Sequence, residues 1–109
     1  MADLALQRLP DGGDVTMVAA AAGGDTVPAG VQAGGWDIAV VLVVSNGDAS
    51  PTEVTVAGQP VVDVADGETA VIPVRGGRFG VRKAVTYEKV TSLTVGVASV
   101  TNNSLVTTF

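Results

Sequence analysis

The run Trp36-Asp37-Ile38-Ala39-Val40-Val41-Leu42-Val43-Val44, closed by Ser45-Asn46-Gly47-Asp48, limits what this chain can fold into. Trp36, Ile38, Val40, Leu42 and Val44 share one face at period two. Ala39, Val41 and Val43 make the other face apolar too, so a strand here is covered on both sides. The run therefore reads as the central strand of the fold. A helix is opposed by the β-branched valines, which lose rotamer freedom in a helical turn, and by Gly34-Gly35 before the run and Asn46-Gly47 after it. A membrane span takes about 20 apolar residues, more than the run offers.

A chain of 109 residues is one domain, able to bury roughly 60 to 70% of its unfolded surface without covalent staples. It contains no cysteine and no histidine. Those absences exclude a disulfide framework, the thiolate and imidazole zinc sites, triads built on an imidazole base and a histidine pH switch. Carboxylate or lysine chemistry is what remains. Met1-Ala2-Asp3-Leu4 has no basic region ahead of an apolar core, so no signal peptide is expected.

Charge is unevenly placed. Through residue 70 ten acids oppose Arg8 alone, a net −9, and from residue 71 five basic residues oppose Glu88 alone, a net +4. Such polarity suits an oriented docking partner or head-to-tail contact between copies. Interleaving of the two halves in a β fold would instead cancel it in space.

Along the chain, Leu4, Leu6 and Leu9 end at the turn Pro10-Asp11-Gly12-Gly13, which makes residues 1–13 an N-terminal arm or edge strand. Asp14-Val15-Thr16-Met17-Val18 reads as a strand, and residues 19–35, rich in alanine and glycine, as loop or close-packed extended chain. Thr52-Glu53-Val54-Thr55-Val56 alternates as a half-buried strand does. Short strands follow at Val61–Val64 and at Thr69–Val74, where Pro73 marks an edge or a strand end. Residues 78–87 and 92–100 read as the last two strands, with Leu93, Val95 and Val97 on one face of the final one. The expected fold is all-β, an antiparallel β-sandwich or small jelly-roll-like barrel of seven or eight short strands, with residues 14–100 as the domain and 101–109 as a C-terminal tail.

Few residues suggest chemistry. Asp63, Asp66 and Glu68 are the densest acids, but their spacing does not match a twelve-residue calcium loop, and a solvated turn around Gly67 explains them. A glycosidase-like carboxylate pair would need a cleft that nothing in the sequence indicates. Gly76-Gly77-Arg78-Phe79-Gly80 lacks the spacing of a phosphate-cradling loop. Arg75, Arg78, Arg82 and Lys83, with Phe79 and Tyr87 nearby, could form a strip for nucleic acid, but an acidic chain of pI near 4.3 favours an acidic protein surface as its partner. Trp36 is expected to anchor the core. Leu4, Leu6, Leu105, Val106 and Phe109 fit either terminal arms buried in a neighbouring chain or termini tied to their own sheet.

Ala19-Ala20-Ala21-Ala22-Gly23-Gly24-Asp25-Thr26-Val27-Pro28 and Val85-Thr86-Tyr87-Glu88-Lys89-Val90-Thr91-Ser92-Leu93-Thr94-Val95 resemble small head-associated virion proteins of tailed actinobacteriophages. The resemblance spans residues 12–100 and implies a capsid decoration or cement protein without enzymatic activity, cofactor or metal. Its partners would be the major capsid protein and further copies of itself, such as a trimer, with no role for nucleic acid or membrane. Its place would be the capsid exterior, after synthesis in the bacterial host cytoplasm. The contact residues expected on this reading are Leu4, Leu6, Arg75, Arg78, Arg82, Lys83, Leu105 and Phe109. A head-tail connector or tail component, and a carbohydrate- or receptor-binding β module, are the alternatives.

Overall fold

Period-two alternation generates two sheets whose apolar faces meet. The computed structural model describes residues 2–8, 15–33, 36–76 and 81–101. Among them there is no helix, and the extended segments are β1 (Ala2–Asp3), β2 (Leu6–Arg8), β3 (Val18–Ala19), β4 (Asp25–Pro28), β5 (Val31–Ala33), β6 (Trp36–Asn46), β7 (Thr52–Val56), β8 (Val62–Val64), β9 (Thr69–Pro73), β10 (Arg82–Tyr87) and β11 (Leu93–Thr101). They form a β-sandwich. One sheet runs β1-β4-β10-β7-β8; the other is built on β6, which pairs along its length with β11.

The central run forms the central strand of its sheet, but it is covered on one face and not on both: Val40, Leu42 and Val44 are buried, whereas Ala39 is exposed and Val41 and Val43 are half-buried. Leu93 stands opposite Asn46 at one end of the β6–β11 ladder and Thr101 opposite Ile38 at the other. The second edge of β6 is shared end to end by β9, beside Val41 to Ser45, and β5, beside Trp36 to Ile38. The far edge of β11 is shared in the same way by β2 and β3. This splitting of edge strands is why eleven segments appear where turn spacing suggests seven or eight. Two of the pairings, β1 with β4 and β2 with β11, are parallel, because the N-terminal chain enters both sheets from the same direction.

Two stretches pass from one sheet to the other. Residues 2–8 cross at Leu4, whose amide bonds to the Thr26 carbonyl at 2.9 Å, and residues 25–33 cross at Ala29 and Gly30, whose amides bond to Val81 and Val74. The described part of residues 19–35 thus contributes two strands, the extended chain of the two readings rather than the loop. Their small side chains and Pro28 conceal an alternation that only Val27 and Ala29 mark by full burial.

The core is a valine-rich layer: Val40, Leu42, Val44, Ile72, Leu93, Val95 and Val97 face Val27, Val54, Val56, Val64 and Val85, with Leu4 closing one side. Each such side chain contributes about 1.5 to 3 kcal/mol on burial. Carboxamides fasten the rim. Asn46, buried at the end of β6, donates from Nδ2 to the carbonyls of Ser50 and Val64 and accepts from the Asp48 amide at Oδ1. Gln59, on the β7–β8 turn, donates to the Pro73 carbonyl at 2.7 Å and accepts from the Arg75 amide at 2.8 Å, tying one sheet to the other.

Candidate interaction surface

The outer faces of the two sheets differ in kind. On the five-stranded sheet the outward cross-strand pairs are polar except for Ala84, which stands opposite Thr26: Asp3 opposite Thr26, Thr86 opposite Thr55 and Glu53 opposite Asp63. Arg82 lies on this face. Its guanidinium donates to the carbonyls of Leu4 at 3.1 Å and Thr26 at 2.8 Å and sits 3.8 Å from the Asp3 carboxylate, so it clasps the N-terminal segment to the sheet. The pairing also joins the acidic half of the sequence to the basic half.

The outer face of the β6 sheet is apolar. Val41 stands opposite Pro73 on one side and Ala98 on the other, and Val43 opposite Val71 and Gly96. Val71 is 61% exposed, Ala39 and Pro73 are exposed, and Val41 and Val43 are half-buried. At one end of the strip Thr69 and Thr94 stand on either side of Ser45, and the Thr69 hydroxyl lies 3.3 Å from that of Ser45.

One part of this face is already covered. Residues 15–17 cross it over Gly96, where an added Cβ would lie 2.7 Å from Val15 Cγ1 and 2.8 Å from the Thr16 carbonyl oxygen. Gln7 holds that crossing as a second strand would: its Nε2 donates to the Thr16 carbonyl and its Oε1 accepts from the Thr16 amide. Beside it a pocket of about 240 Å³ opens between Leu4, Gln7, Val18 and Val95.

The expected contact residues do not gather at one place. Leu4 is buried in the chain's own core and Leu6 packs against it. Arg82 and Lys83, adjacent in β10, point to opposite sides: Arg82 clasps the N-terminal segment, while Lys83 reaches the Ala57 carbonyl at 3.4 Å. Arg75 is exposed beyond β9. Arg78, Leu105 and Phe109 lie outside the described residues, as does the side chain of Trp36. Among the described acids, Asp63 faces Glu53 across the β7–β8 ladder and Asp66 and Glu68 flank the Gly67 turn; no group of described side chains is arranged to hold a metal ion. The apolar strip had a sequence signal in Ala39, Val41 and Val43, the second apolar face of the central run.

No family model, no curated protein and no solved structure matches this chain. Among the described residues no helix is long and apolar enough to cross a membrane.

Proposed function

We propose that this chain is a non-enzymatic capsid decoration protein of a tailed phage, docking on the capsid lattice through the apolar outer face of the β6 sheet. The observation that carries the reading is the one-sidedness of the sandwich: Val41, Val43, Val71 and Pro73 form an apolar strip, while the opposite face carries threonines and charges. A contiguous apolar patch rimmed by polar residues is the usual mark of a protein contact. A lattice of identical sites turns modest contact per copy into avidity. The resemblance of residues 12–100 to head-associated virion proteins supplies the partner.

The test is copy number per purified virion, by quantitative mass spectrometry against the major capsid protein. A ratio near one copy per capsid subunit, or a simple fraction of it, supports decoration. About a dozen copies or fewer indicates a connector or tail component built on the same symmetric logic, and absence from the particle overturns the proposal.

A further inference from the structure

We infer that β9 is a self-pairing edge, through which two copies join antiparallel across a two-fold axis. The backbone groups of β9 are used differently on its two edges. The Val74 amide bonds to the Val40 carbonyl and the Glu68 carbonyl accepts from the Asn46 amide, so even-numbered residues of this segment direct their polar groups toward β6. The Pro73 carbonyl and Arg75 amide, both odd-numbered, are taken from the opposite side by Gln59. In an antiparallel ladder the two edges alternate. The amides and carbonyls of Thr69 and Val71 therefore face outward, and among the described residues β9 pairs with β6 alone.

The sealed and open parts of the edge select a register. Gln59 blocks pairing at residues 73–75, which leaves Thr69 to Val71. A second copy centred on Ala70 sets Thr69 of each chain opposite Val71 of the other and satisfies every open group, with no demand on Pro73, which has no N–H.

Charge favours the same arrangement. Asp66 and Glu68 are exposed at the turn before β9, and Arg75 is exposed after it and forms no ion pair among the described residues. Antiparallel pairing about Ala70 brings the Asp66-Gly67-Glu68 turn of each copy alongside Arg75 of the other, twice by symmetry. A second copy of this chain meets these requirements, whereas an unrelated extended peptide has no reason to carry both the acidic and the basic end. The contact rests on backbone edge and charge, so it stands or falls separately from capsid docking by the apolar face.

The experiment is sedimentation velocity on the full chain from about 10 µM to about 1 mM, the range in which an interface below about 1,200 Å² is populated. A concentration-dependent dimer is expected. Hydrogen exchange should show the Thr69 and Val71 amides slowing by about tenfold or more with concentration, while those of Ala70 and Ile72, bonded to β6, stay slow throughout. Val71→Pro removes one outward donor without touching the β6 ladder and should weaken dimerisation by about tenfold or more. Should that chain misfold, Arg75→Glu alters only an exposed side chain and should weaken the dimer in the same direction. Mixing Arg75→Glu chains with Asp66→Lys/Glu68→Lys chains should restore association as a heterodimer. A chain monomeric throughout the range, a dimer indifferent to both Val71→Pro and Arg75→Glu, or a dimer lost on deleting residues 102–109 would overturn the inference.

Discussion

The Tyr87 hydroxyl donates a 2.6 Å hydrogen bond to Oδ2 of Asp25, a residue 62 positions earlier on the neighbouring strand. Asp25 is 1% exposed and faces the sandwich interior, where the Ala21 amide also donates to Oδ2 at 3.3 Å. Its other carboxylate oxygen, Oδ1, is buried without a partner among the described residues. An under-satisfied buried carboxylate makes its remaining bonds costly to lose. Tyr87→Phe is therefore expected to lower unfolding stability by about 1 to 3 kcal/mol. Chemical denaturation checks this, and Tyr87→Phe combined with Asp25→Asn should cost less than the two singly, since the carboxylate that needed the hydroxyl is gone.

The same contact sets an alkaline limit. Burial, then the hydrogen bond to Asp25 and its charge, hold the Tyr87 hydroxyl well above its ordinary pKa of 10.0. The neutral phenol is thus favoured in the folded state. Its contribution is fully present below pH 10 and declines as pH rises further, because the unfolded chain releases a proton that the folded chain retains. Tyr87 is the only tyrosine, so tyrosinate absorbance reports this group alone. Absorbance should rise together with loss of β-sheet signal rather than ahead of it; ionisation near pH 10 in a still-folded chain would contradict the contact.

The long strands were legible because their apolar residues alternate over enough length to exclude other readings: β6, β7 and β11 lie where Trp36–Val44, Thr52–Val56 and Ser92–Val100 indicate. Pro73, which cannot donate to a ladder, indicated an edge or a strand end, and β9 both ends at Pro73 and, among the described residues, pairs with β6 alone. The strands β4 and β5 were hidden because Asp25, Pro28 and Ala29 give no apolar alternation; these three residues are buried by chain segments distant in sequence. Arg82 and Lys83 looked like one basic patch in sequence, but neighbours on a strand point apart. Leu4 was ambiguous for a related reason: a leucine near a terminus packs equally well on its own core or another chain's, and only the crossing between sheets decides.

Gln7 is a surface residue whose loss should matter. Its carboxamide makes both bonds to Thr16 that keep residues 15–17 on the sheet. Gln7→Ala should cost about 1 to 2 kcal/mol and raise the exchange rate of the Thr16 amide. Gln7→Glu should fail to rescue it, because a carboxylate accepts from the Thr16 amide but cannot donate to the Thr16 carbonyl.

Two glycines with positive φ separate backbone strain from steric conflict. Gly24 (φ 94°) would place a Cβ 2.6 Å from the Val85 carbonyl oxygen, whereas Gly58 (φ 79°) has open space around it. Gly58→Ala should cost about 1 kcal/mol for the left-handed conformation alone. Gly24→Ala must also displace β10, and its melting temperature should fall clearly further.

Leu4 and Val71 separate a side chain that holds the domain from one that, on the proposed docking, would hold a partner. Leu4 is 5% exposed, packed where the N-terminal chain crosses between sheets, and Val71 is 61% exposed on the apolar strip. Leu4→Ala opens a gap in the core and should cost about 2 to 5 kcal/mol in the isolated chain. Val71→Ser removes surface contact only and should stay within about 0.5 kcal/mol of the parent. Measured on purified particles, the order should invert when binding is compared at a temperature where both chains are folded: Val71→Ser lowers occupancy and Leu4→Ala leaves it unchanged. Were Leu4→Ala to release a still-folded chain from particles while Val71→Ser did not, the contact would run through the N-terminal segment and not through the outer face of the β6 sheet.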